Sequence, residues 1–275
     1  MTLKSRNRIL IIFFVITLVY ALLNTAAFIR SALEGSLSFP QDVQRQMKIL
    51  DKLGFLSYEP LAVCASSMIF NAYVLIVTII LYLSFEKTQA LETIYFLGFL
   101  LSCMAEGTRV FVPVASLAQP STSSVVIITR IVIGARMLAP LSFLFAELFS
   151  DTESRLFVER NFIIMLLASI FMGMLIPLDT RGYTSIFTYK WGIQNIFQTT
   201  RFLLVAATMV AVVCKMITTY STDALHVGIG FLISICGYFI LSNSDNFILT
   251  IFGGITLFSG TIYYLRSMHQ IYRWR

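Results

Sequence analysis

The chain has 275 residues, 57% of them hydrophobic and 12% charged, with a formal net charge of +6 and a mean hydropathy of +0.83. A soluble domain carries roughly twice that charged share, so the composition excludes the soluble classes and points to a membrane protein. The basic balance fits cytoplasmic ends and anionic headgroups; with no soluble basic domain to make phosphate contacts, nucleic acid is not an expected partner.

A spanning helix needs about 20 mostly apolar residues. Eight runs qualify: 9–29, 61–85, 91–114, 124–149, 162–178, 193–216, 225–241 and 247–265. No stretch between them is long enough for a separate soluble domain. Residues 1–275 are therefore expected to form a single integral membrane domain, an all-α polytopic bundle of about eight transmembrane helices, placed in the cell (inner) membrane.

At the start, Lys4, Arg6 and Arg8 precede an apolar run, as in the n-region and h-region of a cleaved signal peptide. The run is longer than a usual h-region, although small residues near Ala26 and Ala27 keep that alternative open. Cleavage would leave seven helices with the N-terminus outside. With the first helix retained, Lys4, Arg6, Arg8, Lys87, Arg155, Arg160, Lys215, Arg266, Arg273 and Arg275 fall on one side. Arg30, Arg45, Lys48, Lys52, Arg181 and Lys190 fall on the other, mostly in one long loop. This bias places both termini in the cytoplasm.

Two outer loops have content. Ser38 and Pro40 precede Val43, Met47 and Leu50 at helical spacing, and Gly54 can stop the turn. A short amphipathic helix over about 38–54 follows, either a linker against headgroups or a lid over an outward cavity. Between residues 178 and 194, Tyr183, Phe187, Tyr189 and Trp191 suggest an interfacial aromatic belt. In the last two helices, Gly230, Ser234 and Gly237 recur at helical spacing, as do Gly253, Thr256 and Gly260. Small residues in stripes predict close backbone approach.

Four arginines, Arg109, Arg130, Arg136 and Arg201, interrupt the apolar runs, accompanied by the acids Glu106 and Glu147. A charge in hydrocarbon costs about 2.5 to more than 10 kcal/mol. Counting 1.5 Å per residue, Glu106, Arg130 and Arg201 lie roughly 7–9 Å beneath the outer edge, at one level of three helices. Arg109, one turn outward from Glu106, is expected at the rim of that layer. Arg136 sits near mid-bilayer, about 120° around its helix from Arg130. Pro140 follows it by four residues, freeing its carbonyl and predicting a kink. One carboxylate neutralises one guanidinium. Either structural ion pairs account for the set, or Glu106, Arg109, Arg130, Arg201 and Arg136 surround an anion: a carboxylate, a phosphate or a lipid headgroup.

Absences narrow the chemistry. Cys64, Cys103, Cys214 and Cys236 lie in apolar runs and match no metal framework, so they are expected as small buried hydrophobes. His226 and His269 fall at helix ends, and no H-E-x-x-H, G-x-S-x-G or P-loop motif occurs. No enzyme activity, metal or cofactor is expected. The segment from Gly107 to Pro113 echoes that from Gly134 to Pro140, too short to establish the internal repeats of transporters. The expected function is a receptor- or sensor-like module that binds an anionic small molecule or lipid headgroup near the outer face. It would signal to a membrane or cytoplasmic protein partner through its inner loops and the tail at 263–275. The alternatives are a transporter or lipid-handling protein for an anionic substrate, and a structural subunit of a membrane complex.

Overall fold

The computed structural model describes residues 3–40, 43, 57–86, 88, 90, 92–115, 117, 123–149, 157–219 and 223–273. The elements in order are α1 (Leu3–Leu33), α2 (Pro60–Phe85), α3 (Glu92–Glu106), a 3₁₀ turn (Gly107–Val110) and α4 (Phe111–Val114). After these come α5 (Ser123–Leu148), α6 (Val158–Leu175), β1 (Leu178–Tyr183), β2 (Tyr189–Trp191), α7 (Gln194–Thr219), α8 (Asp223–Ser242) and α9 (Phe247–Arg273). With Glu92–Val114 counted as one span, eight helices among the described residues are long and apolar enough to cross a membrane. The chain is a multi-pass membrane protein. Most of the expected amphipathic segment at 38–54 lies outside the described residues; Ser38, Phe39, Pro40 and Val43 are not helical.

Helix α2 starts on Pro60, where a missing N–H costs nothing. Helix α5 runs unbroken through Pro140, as transmembrane helices can when their neighbours satisfy the freed carbonyl. The centre of the bundle is α3 against α5, each with 67% of its most apolar stretch buried, against 22% for α1, 28% for α6 and 17% for α7. Helix α1 lies on α2, α6 on α5, and α7 on α5 and α8. Aromatic rings lock the middle: Phe143 of α5 meets Phe99 of α3 and Phe231 of α8, each at 4.7 Å between centroids. Phe96 of α3 stacks on Tyr264 of α9 at 5.4 Å.

Helices α8 and α9 make the closest pairing, along the two small-residue stripes. A Cβ on Gly237 would stand 2.3 Å from the Leu257 nitrogen, and one on Gly260 2.4 Å from the Ser234 nitrogen. Backbone thus touches backbone, and such close packing is one of the attractions that hold helices together where lipid removes the hydrophobic drive.

The loop after α6 is a β-hairpin tucked into one end of the bundle, hereafter the hairpin end. β1 and β2 pair antiparallel, Leu178 opposite Trp191 and Tyr183 opposite Tyr189. The backbone N–H of Tyr189 donates to Thr129 Oγ1 of α5 at 3.0 Å. Phe187 at the tip has a left-handed backbone, φ 61°, held there by burial of its ring beside Phe39. The expected interfacial belt is corrected here: Tyr183, Phe187, Tyr189 and Trp191 are all buried, packed with Ile128, Val132 and Ile133 of α5. The cysteines also divide, Cys64 and Cys103 buried, Cys214 and Cys236 on exposed helix faces.

The glycine contacts set a stability test. Gly237→Ala overpacks the α8–α9 seam and should cost about 1–3 kcal/mol. Gly254→Ala, whose Cβ meets only the side chain of Ile69 at 3.5 Å, should change stability by less than about 0.5 kcal/mol. Thermal unfolding in detergent measures both; equal losses would contradict the seam.

Candidate functional site

At the end of α3 the backbone tightens from α-helix into the 3₁₀ turn at Gly107. A Cβ there would stand 2.4 Å from Asn71 Oδ1 of α2, so glycine lets α3 pass against α2. In a 3₁₀ turn residues three apart eclipse, which sets Glu106 and Arg109 side by side and turns both inward. Each is 0% exposed.

Glu106 is the hub. Its Oε1 accepts from Arg136 Nε of α5 at 2.8 Å and from the Tyr238 hydroxyl of α8 at 3.2 Å. Its Oε2 lies 3.1 Å from Arg109 Nε, although that N–H is aimed at the Glu106 backbone carbonyl, 3.0 Å away. Arg109 Nη1 and Arg136 Nη2 then converge on one acceptor, the carbonyl of Ser242, at 3.0 and 2.5 Å. Ser242 ends α8, so two guanidiniums grip the negative end of a helix dipole. Arg136 Nη1 also donates to Asn243 Oδ1 at 3.0 Å, and its Cζ lies 5.4 Å from the Trp191 ring centroid.

Arg201 of α7 stands beside this centre and differs from it. It is 6% exposed, with its Cζ 4.2 Å from the Phe239 ring centroid and 5.7 Å from that of Phe197. Ring faces stabilise a cation but leave the edge donors open: Nε and Nη2 have no hydrogen-bond partner among the described residues. Trp191 adds another donor, a buried Nε1 with no acceptor among the described residues.

Of the five arginine and glutamate positions expected to share a site, the structure brings four together. Glu106, Arg109 and Arg136 are bonded, and Arg201 adjoins them. Arg130 is the correction. Its Nη1 donates to the carbonyls of Gly173, at 3.3 Å, and Met174 near the end of α6. Arg136 takes the place beside Glu106 because residues six apart on a helix differ by about 120°, and the face of α5 turned toward α3 and α8 is the one that carries Arg136. Arg109, expected at the rim, is instead fully enclosed.

Reasoning from charges alone overlooked the acceptors. Ser242 and Asn243 supply them, and the polar run from Ser242 to Asn246 between two apolar helices was the available signal. Family models, curated proteins and solved structures give no match to this chain.

Charge now predicts how variants behave. Glu106→Gln leaves two buried guanidiniums facing each other and should cost about 3–5 kcal/mol. Arg201→Gln removes a cation that pairs with no carboxylate among the described residues and should leave unliganded stability unchanged or raised. Thermal unfolding of both variants decides; a larger loss for Arg201→Gln would contradict this arrangement.

Proposed function

We propose that the protein is a sensor-like membrane module whose ligand is an oxyanion held by Arg201 beside the Arg136–Glu106 pair. The carrying observation is Arg201, a buried residue of 6% exposure, whose Nε and Nη2 meet no acceptor among the described residues. A guanidinium edge is shaped for two oxygens of a carboxylate or phosphate. In the ion pairs among the described residues, the neighbouring Arg109 and Arg136 share one carboxylate, Glu106, and positive charge there favours an anion in a medium of low dielectric.

A sensor reading is favoured by α7. It is the least enclosed span, and it carries Arg201 near one end. Near the other end, Lys215 Nζ lies 3.5 Å from Glu147 Oε2 of α5. A ligand that draws Arg201 toward Arg136 therefore shifts a helix whose far end is joined to α5 by this ion pair. We place the hairpin end outside and both termini in the cytoplasm of the cell membrane, on the distribution of Lys and Arg. The retained first helix is supported by Arg6, which bonds the carbonyl of Phe85, the last residue of α2, and those of Glu86 and Thr88 beyond it. Output would pass to a partner protein at the cytoplasmic ends.

Purified protein titrated with acetate, citrate and inorganic phosphate tests the ligand. One of these should raise the unfolding midpoint, with a stabilisation that grows logarithmically with its concentration and reaches about 2.7 kcal/mol at a hundredfold excess over its Kd, and Arg201→Gln should abolish the shift. In proteoliposomes the same anion should bind without accumulating. No shift with any anion ends the binding reading, and accumulation of label makes the protein a transporter. For orientation, a cysteine placed at Lys4 should react with an impermeant reagent only after permeabilisation; labelling in intact cells would invert the topology.

A further inference from the structure

A second polar group lies away from this centre, on a face turned to lipid. A groove of about 310 Å³ opens between α3, α5 and α6, lined by Leu101 and Ala105, Ile131 and Gly134, and Ile170 and Gly173. Its floor is backbone: a Cβ on Gly173 would stand 2.7 Å from the Arg130 carbonyl oxygen and 3.2 Å from Gly134 Cα. Arg130 and Met174 lie toward its hairpin end, and Leu138 and Leu166 toward the other. The stretch from Arg130 to Leu138 is about 12 Å of helix.

We propose that this groove holds an acyl chain of an anionic phospholipid, with the lipid phosphate on Arg130. Two observations carry the assignment. The walls are apolar and open sideways, since Ile131, Ile170 and Met174 are exposed, which suits hydrocarbon and no polar ligand. Arg130 is half-buried at the hairpin end of the groove and makes only the two carbonyl bonds through Nη1, with no carboxylate in ion-pair reach among the described residues. An arginine on a lipid-facing surface snorkels toward the headgroup level, and α6 ends within two residues of its acceptors. The phosphate of a lipid whose chain fills the groove therefore arrives where Nε and Nη2 can bind it. This site is separate from Arg201 on α7 and stands whether or not that reading does.

The test uses delipidated protein in a neutral detergent, with bound lipid counted by native mass spectrometry. Phosphatidylglycerol, a diacylglycerol with the same chains, and glycerol 3-phosphate serve as probes. Phosphatidylglycerol should bind, and neither the uncharged chain nor the free headgroup should. Arg130→Gln should weaken binding roughly tenfold or more, the effect of losing a hydrogen bond to a charged group. Ile170→Trp alters an exposed position, so the fold is kept while the groove is filled and phosphatidylglycerol is excluded. Equal binding of diacylglycerol, binding of glycerol 3-phosphate alone, or unchanged affinity in both variants would overturn the proposal.

Discussion

The last carbonyls of a transmembrane helix have no partner within the helix, and hydrocarbon offers none. In this protein arginines provide the donors. Arg6 bonds carbonyls at and just beyond the end of α2, Arg130 those near the end of α6, and Arg109 with Arg136 that of Ser242 at the end of α8. A cation is also favoured there by the helix dipole. The α8 end is the strictest case, because two guanidiniums share one carbonyl oxygen. Unscreened, they would repel by roughly 1–4 kcal/mol at ordinary separations. Glu106, between them, turns that repulsion into attraction, and the 3₁₀ turn at Gly107 is what brings Glu106 and Arg109 to the same side.

Much of the bundle follows from that junction. It joins α3, α5 and α8 at the hairpin end, while the rings of Phe99, Phe143 and Phe231 join the same three helices deeper down. Helix α9 is carried along by its glycine seam with α8. The hairpin closes over the junction and sets Trp191 beside Arg136. Helix α7 contributes a guanidinium to the same region without joining the network, and it is the least buried span. The guanidinium whose Nε and Nη2 lack hydrogen-bond partners among the described residues thus lies on the least buried span.

The spans were legible because about twenty apolar residues in a row have few other uses. The glycine seam was legible too, since stripes at helical spacing leave little choice of role. Charge placement was legible in kind but not in detail. Counting acids against bases along the chain suggested an anion near several arginines, yet three of those cations are engaged by backbone carbonyls, which composition does not register. Whether Arg130 or Arg136 faced Glu106 depended on the rotation of α5 about its axis, set by its neighbours rather than by its own pattern. The aromatic residues of the hairpin resembled an interfacial belt because exposure at a membrane surface and burial under a tight hairpin select similar side chains.

A cryo-electron-microscopy map of the protein in a lipid nanodisc, taken with the anion that stabilises it, tests the central claim most directly. The account predicts non-protein density bonded to Arg201 Nε and Nη2, with Arg109 and Arg136 still on the Ser242 carbonyl and Glu106 between them. A protein carboxylate bonded to Arg201, or Arg136 turned away from Ser242, would contradict it.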